Sequence, residues 1–507
     1  MSSSTTYSKL GYLMLKKETT AGTAVYPDTG IELLSESIEV NWNFTAANTI
    51  AGNRSKNLRP ILNRVEAPTG TITVLVEPNT VGHFLTGLFG EATDSTLAAG
   101  ESFQHDFEPL NTLETYTMDI KVANENYVKR YFGVRVASVS LTNDENKLKM
   151  EIEVVAEKAF TNARVTVAAS SGTALSIDQT SGITTSDTII VLDADNLDTE
   201  IAEYTIAAVV DETTLTVSTI SDSLGVDDVV VIKKQTPTYD LSNEFIWSGG
   251  ADVEIANGDN GVQNLSAKSN CESFELTIVN DLEPRWSATG TDVIDRFPAD
   301  VLVKGVEVTG SFSQFHTNPE FLDMLRENEK VTLRFRYKGL SALNGDVAAA
   351  ATGTVETDGV GTVTATVDAA GEAGNDYAII VEQGTGALSA ALSGKLITVT
   401  LASVAGNNTT TLVATAINGL SGITSSDTGA DLVTTTDNED KIDFAGGRDA
   451  NEVEMIRFDL PNVRFQPFNA KLEEDAIVNE EISFTAFRDD EDEREVQVRL
   501  RNAEADY

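Results

Sequence analysis

The pattern of apolar and polar positions repeats along this chain. In Thr69 to Gly90, Ile72, Val74 and Val76 alternate with Thr71 and Thr73. A period of two predicts a half-buried strand. Leu75 interrupts the polar side, so both faces are expected to be partly covered. A Pro-Asn-Thr turn follows, and then Val81, Phe84, Leu85 and Leu88 fall at i, i+3, i+4 and i+7. That is one helical stripe, with Asn79 or Thr80 as cap and Gly90 as stop. Val306 to Glu327 has the same layout: Val306, Val308 and Phe312 alternate, a polar turn ends in Asn318-Pro319, and Phe321, Leu322 and Leu325 form the stripe. Phe84-Leu85-Leu88 maps onto Phe321-Leu322-Leu325 without a gap. All six are expected to pack their helices onto sheets. A strand feeding a short capped helix, present twice, predicts a duplicated domain.

Around these anchors the chain reads as strands. Residues 9 to 40, running on into Trp42, hold short strands separated by turn residues. Asn43 to Pro68 is a long connection carrying Arg54, Lys56, Arg59 and Arg64 against Glu66 alone. Glu91 to Gly100 reads as a loop of small residues, and strands resume at Tyr116 to Val122 and Tyr127 to Val136. In Lys147 to Val154, Leu148, Met150, Ile152 and Val154 face one way while Lys147, Lys149, Glu151 and Glu153 face the other. This predicts an antiparallel strand with a wet outer face. In the second copy Phe274, Leu276 and Ile278 alternate, Asn280 to Lys304 is again a long connection, and Val331, Leu333, Phe335 and Tyr337 alternate after the helix.

Two stretches depart from this texture. Residues 163 to 238 are rich in Ser, Thr, Asp and Val in short alternating runs, predicting a small all-β module. Residues 340 to 447 are rich in Ala, Gly and Thr and predict an inserted Ig-like β module. The repeat resumes beyond it: Val134-Arg135-Val136 fits Val463-Arg464-Phe465, and Met150, Ile152, Val154 fits Ile482, Phe484, Ala486. The spacing between copies grows from 237 at Phe84 and Phe321 to 329 at Val134 and Val463, so roughly 90 residues are expected to interrupt a hairpin loop of copy two. Loops tolerate this, since doubling their length costs only about 0.6 kcal/mol. The domains are therefore 1–162, 163–238, 239–339 with 448–507, and 340–447, and both extra modules are expected to be dispensable for assembly.

Composition narrows the chemistry. The chain of 507 residues is 41% hydrophobic, enough for real cores. No apolar run approaches the roughly 18 residues of a membrane span, and the opening MSSSTTYSKL lacks the layout of a signal peptide. Cys271 is the sole cysteine, which excludes an intrachain disulfide and a cysteine-based zinc site. His83, His105 and His316 are the only histidines. Asp193, Asp195 and Asp198 lack the glycine and the final glutamate of a calcium loop. No P-loop, nucleophile elbow or paired Cys-x-x-Cys is present, and Asp489 to Glu493 reads as a solvated turn. An enzyme is not expected, nor are catalytic, metal or cofactor residues. With 79 acidic against 36 basic residues the net charge is −43, the wrong sign for gripping phosphates. A single-sign charge of that size keeps a protein soluble and repels like-charged surfaces, or it reflects a salty habitat.

The opening Lys16 to Pro27, KKETTAGTAVYP, resembles the start of one family of tail tube proteins of long-tailed bacteriophages. The order strand, long loop, strand, short helix with a Phe-Leu pair, closing strands is similar too, over residues 7 to 160 and more loosely over the second copy. The resemblance implies a mainly β fold: two β-sandwich or barrel domains, each with a short flanking helix, plus the two all-β modules outside the tube. It implies a structural virion protein whose rings stack around a lumen through which DNA passes. Two fused tube domains make a homotrimer pseudo-hexameric. Implied partners are other copies of the chain, a tape measure protein, a tail terminator and distal tail proteins, with DNA only in transit and no membrane or cofactor. The implied location is the virion tail, after synthesis in the host cytoplasm. Arg54, Lys56, Arg59 and Arg64 are then candidates for an inter-ring contact, or an ordinary solvated loop. A head decoration or baseplate hub protein, or a modular surface adhesin, are the competing readings. The duplicated helices favour the tube.

Overall fold

The computed structural model describes residues 10–40, 42–47, 59–65, 67–98, 102–122, 125–144, 147–240, 242–246, 253–258, 261–267, 271–286, 297–315, 320–343, 348–438, 440–448, 453–467, 479–490 and 494–507. The fold is mainly β, built from several sheets. In the first copy β1 (Tyr12–Lys17), β2 (Thr29–Ile31), β3 (Ser35–Glu36), β4 (Trp42–Ala47), β5 (Arg59–Val65) and β6 (Thr69–Leu75) lead into α1 (Val81–Phe89). Then come β7 (Thr93–Ala98), β8 (Ser102–Phe107), β9 (Tyr116–Lys121), β10 (Tyr127–Asp144), β11 (Lys147–Val155) and β12 (Lys158–Phe160). The next stretch holds β13 (Ala163–Arg164), β14 (Ala174–Ser176), β15 (Thr188–Asp193), β16 (Asn196–Asp211), β17 (Thr214–Val217) and β18 (Val229–Lys233).

The second copy holds β19 (Val253–Asn257), β20 (Ser266–Ala267), β21 (Cys271–Arg285), β22 (Asp300–Phe315), α2 (Glu320–Glu327) and β23 (Val331–Ala342). The insertion follows, with β24 (Thr352–Glu356), β25 (Thr362–Val367), β26 (Ala378–Gln383), β27 (Ser389–Ser393), β28 (Leu396–Leu401), α3 (Thr410–Asn418), β29 (Ile423–Thr428) and β30 (Ile442–Asp443). The copy closes with β31 (Val453–Phe465), β32 (Asn479–Ala486) and β33 (Gln497–Asn502).

Strand pairing makes the repeat explicit. In copy one neighbours run β3-β6-β11-β10-β9-β1-β2, all antiparallel. In copy two they run β21-β22-β32-β31-β23-β19-β20, also antiparallel. β12 and β33 pair in the same way with β10 and β31. Val136 stands opposite Val154 and Val463 opposite Ala486. Since β11 and β32 correspond, Val463 matches Val136, not Val134 as the sequence pattern suggests. A shift of two leaves every side chain on its own face, so periodicity cannot detect it.

The register also revises the size of the insertion. Met118 opposes Tyr131 and Phe335 opposes Phe458, which makes Met118 and Phe335 equivalent at a spacing of 217. The spacing is 237 at the helices (84 to 321) and 327 at Val136 and Val463. Copy two therefore lacks about 20 residues after its helix and gains about 110 between β23 and β31; the apparent 90 is the difference. The missing piece corresponds to the β7–β8 hairpin. Glu91 to Gly100, expected as a loop, contains β7, paired with β8 from Thr93↔Asp106 to Ala98↔Ser102. Small residues form a strand here because a partner strand satisfies their backbone.

Both helices pack as their stripes require. Phe84, Leu85 and Leu88 are buried, and so are Phe321 and Met324, with Leu325 partly buried against the same core. The Leu322 side chain lies outside the described residues. Thr80 is the N-cap of α1 but makes no side-chain capping bond, and Gly90, at φ 99°, donates its N–H to Thr86 O at 2.9 Å. A φ of that sign suits glycine, which ends the helix there. Phe321 meets Phe312 and Phe465 edge to face at centroid distances of 5.5 Å each. Burying each such ring contributes about 1.5–3 kcal/mol.

The two extra modules differ. The strands β13 to β18 share a core with copy one: Leu175, Ile189 and Val230 pack with Tyr12, Met14, Phe132 and Phe160. β1 serves two cores because its faces alternate, Leu13 and Leu15 toward the main core, Tyr12 and Met14 toward the module. The insertion has its own core, with Val355, Val363, Ile397, Val413 and Ile417. It is not the all-β, Ig-like unit expected. It contains α3, and β26 runs parallel to β28. The β-branched residues Thr411, Val413, Thr415 and Ile417 of TLVATAING suggest a strand by propensity, yet Val413, Ala414 and Ile417 lie on one helical face and are buried. Tertiary packing overrides propensity there.

Candidate assembly surfaces

The long connections hold paired strands. In copy one β4 and β5 form a two-stranded hairpin from Trp42↔Val65 to Ala47↔Arg59. In copy two the equivalent connection extends β21 and β22 to the pair Arg285↔Asp300. Of the basic candidates, Arg59 and Arg64 stand on β5, with only their backbone described, while Arg54 and Lys56 lie outside the described residues.

The copies meet edge to edge. β10 pairs antiparallel with β21, from Ser138↔Val279 to Thr142↔Glu275, so the two sheets continue into one another. Ser140 and Thr277 join their hydroxyls at 2.6 Å across this seam. Asn280, buried at its end, donates to Leu88 O of α1 at 2.8 Å and to Val136 O at 3.2 Å. It thereby satisfies a carbonyl in the last turn of α1 that has no partner within the helix. A second seam pairs β33 with β8, from Val498↔Phe107 to Asn502↔Phe103. Beyond β33 the Tyr507 ring lies on α1 against Gly82, where a Cβ would stand 2.2 Å from the ring. His83 and His105 meet that ring edge-on at 5.1 and 4.9 Å. Burial pushes His83 down to about 4, so it is neutral near pH 7. His105 is buried, with Nδ1 2.6 Å from Asp94 Oδ1 and Nε2 3.0 Å from Glu504 O.

Buried arginines carry the modules. Arg130 on β10 is fully buried; Nε and Nη2 reach Asp119 at 2.7 and 2.8 Å, and Nη1 and Nη2 reach Asp187 at 2.6 and 2.8 Å. Asp187 belongs to the β13–β18 module. Arg457 on β31 places Nη1 2.6 Å from Glu372 Oε1, in a short 3-10 turn (Glu372–Asp376) of the insertion. Arg334 contacts Asp376 of the same turn at 2.9 Å and Asp459 at 2.5 Å. Burial raises Glu372, but Arg457 and Arg501 outweigh it and hold the carboxyl at about 2. The sequence reading singled out none of these. For Arg130 the sequence carries a signal, a charge on an apolar phase between Val128 and Phe132; Arg334 and Arg457 stand on the polar phase of their strands, opposite Leu333 and Phe335 or Ile456 and Phe458, and carry none.

The surfaces offer sheet edges and ion pairs; among the described residues no group of three or more His, Cys, Asp or Glu side chains is placed to hold a metal ion. Among the described residues no helix is long and apolar enough to cross a membrane. No protein-family model matches the chain, and no curated relative matches it significantly.

Proposed function

We propose that this chain is a structural virion subunit of the tail tube type, which assembles with copies of itself into stacked rings around a lumen that passes DNA. The observation that carries the reading is the β10–β21 seam, in which one copy of the duplicated unit joins the next by strand pairing between non-identical edges. A contact of that head-to-tail kind closes into a ring when its rotation closes, and ring closure removes exposed sheet edges. Three chains would supply six units. The net charge of −43 suits a wall along which a polyanion slides without sticking. The basic β4–β5 hairpin is the candidate contact with an acidic neighbouring ring, and the two modules belong on the outside of the tube.

Negative-stain electron microscopy of the purified full chain tests this. Long hollow cylinders of stacked rings are the expected result. A protein that stays monomeric at high concentration and across salt conditions, or that coats closed shells, would overturn it.

A further inference from the structure

A strand at the margin of a sheet exposes backbone groups that invite a further strand, and proteins commonly blunt such edges. In the insertion the edges are treated unequally. β24 and β29 bound a three-stranded sheet. On β24, Asn438 accepts from Glu356 N at 2.9 Å through Oδ1 and donates Nδ2 to Glu356 O at 2.9 Å. On β29, Asn418 of α3 closes Ser425 in the same way, at 2.6 and 3.1 Å. In the four-stranded sheet β27-β28-β26-β30, the β30 end is only two residues long. β27 is the other end, and beyond β28 no backbone or side-chain group bonds to it among the described residues.

The open edge has a definite register. Ser389, Ala391 and Ser393 stand opposite Thr400, Thr398 and Leu396 of β28. On the far side of β28, Lys395 O and Leu401 O accept from Ala378 N and Gly384 N. The odd-numbered residues of β28 therefore bond toward β26 and the even-numbered ones toward β27. Backbone groups alternate in direction along a strand, so the N–H and C=O of Ala390 and Leu392 point away from the sheet. The side chains of Ala390 and Leu392 pack against the core of the insertion, whereas Ser389, Ala391 and Ser393 are exposed.

Charge limits what this edge can meet. From Gln383 to Ser426 the only charged residue is Lys395, in a chain whose net charge is −43. Copies of such a chain repel one another across their acidic surfaces, and the centres of protein interfaces are depleted of charge. The exposed Ser-Ala-Ser row is also symmetric about Ala391. Antiparallel pairing of two copies about that residue sets Ser389 against Ser393, Ala390 against Leu392, and Ala391 against itself. No like charges then stand opposite each other, and each leucine meets the smaller alanine.

We propose that β27 is a self-association edge, which pairs antiparallel with β27 of a second copy across a twofold axis at Ala391. Ala390 and Leu392 supply the ladder bonds, and the two four-stranded sheets become continuous. An isologous contact of this kind differs from the head-to-tail β10–β21 type. It does not rest on the tail tube reading, since it joins free chains equally well, and in polar tubes it joins chains of two different tubes.

The test is thiol trapping in the full chain, whose sole native cysteine, Cys271, is buried. Across the axis the two Ala391 residues form a non-hydrogen-bonded pair with Cα atoms about 4.5 Å apart, within reach of a disulfide. Ala391→Cys should therefore give a disulfide dimer on mild oxidation, read by non-reducing electrophoresis. Ser389→Cys is exposed too, but its two copies stand four residues apart along the strands, about 13 Å, and should not cross-link. Ala390→Pro removes an outward N–H that β28 does not use, which an open edge tolerates. Added to Ala391→Cys, it should abolish the dimer while the circular dichroism spectrum stays unchanged. Ala391→Cys that cross-links no better than Ser389→Cys would overturn the proposal. So would a folded double variant that cross-links as well as Ala391→Cys alone.

Discussion

Arg130 and Arg457 occupy one position of the duplicated unit, and each reaches out of it to a carboxylate on an attached module. The spacing of 327 that relates Val136 to Val463 also relates this pair. Arg130 binds Asp187 and Arg457 binds Glu372. The two modules differ in fold and enter the chain at different places, yet both dock over the same strand of their copy. Residues so far apart in sequence are thereby placed under the same electrostatic constraint.

The Arg130–Asp187 contact should be strongly coupled. Removing one partner of a buried pair strands the other, at a cost of about 3–5 kcal/mol. Arg130→Met and Asp187→Asn are each expected to destabilise by that order in urea unfolding. The double variant should lose much less than the sum. Additive losses would show that the contact is not a coupled unit.

Glu372 gives a pH dependence of definite sign. Its carboxyl titrates near 2 in the folded chain against an ordinary 4.5, held down by Arg457 and Arg501. An acid with a lowered folded value stabilises fully above 4.5, and that stabilisation is lost as pH falls through 4.5 toward 2. Glu372→Gln should therefore be less stable than the unaltered chain at pH 7 and converge with it near pH 2. A stability gap independent of pH would contradict this.

The insertion is not expected to be dispensable, although its composition suggests it. Replacing residues 344–451 by a short linker removes Glu372 and Asp376 and leaves Arg334, Arg457 and Arg501 short of anions. The deletion should give little folded protein, and adding Arg457→Met should recover part of it, since apolar replacement of buried ionic groups is often neutral or stabilising. Soluble yields by size-exclusion chromatography decide between the outcomes. A fully stable deletion would show that the arginines hydrate freely.

The helix stripes are core. Phe84→Ala and Phe321→Ala should each cost about 3–5 kcal/mol by chemical unfolding. Gly82→Ala should also destabilise, by about 1–3 kcal/mol, because its methyl would overlap the Tyr507 ring. Tyr507→Ala should remove that penalty. An equal Gly82→Ala cost in both backgrounds would place the clash elsewhere.

If the basic hairpin joins successive rings, Arg54→Glu combined with Arg59→Glu should leave the domain folded while tube length falls. Exposed pairs contribute only about 0–1 kcal/mol each, but every ring repeats the contact. Tubes of ordinary length by electron microscopy would remove the hairpin from the stacking contact.

Local pattern was enough to determine the mainly β character, the strand-to-helix unit at Thr69–Gly90, its second copy, and the face on which Phe84, Leu88 and Phe321 lie. These follow from side-chain periods of 2.0 and 3.6, which are properties of a short segment. The sequence also showed the positions of both departures from the repeat. Tertiary structure alone decided the match of Val136 with Val463, because a two-residue slip conserves every face. It also decided that TLVATAING is a helix, that β21 of one copy pairs with β10 of the other, and that Arg130 and Arg457 are buried. Arg130 on an apolar phase, or Arg457 on a polar one, has the same local pattern whether it ends in solvent or meets Asp187 or Glu372. The partner carboxylate comes from a distant segment, and only the folded chain brings it there.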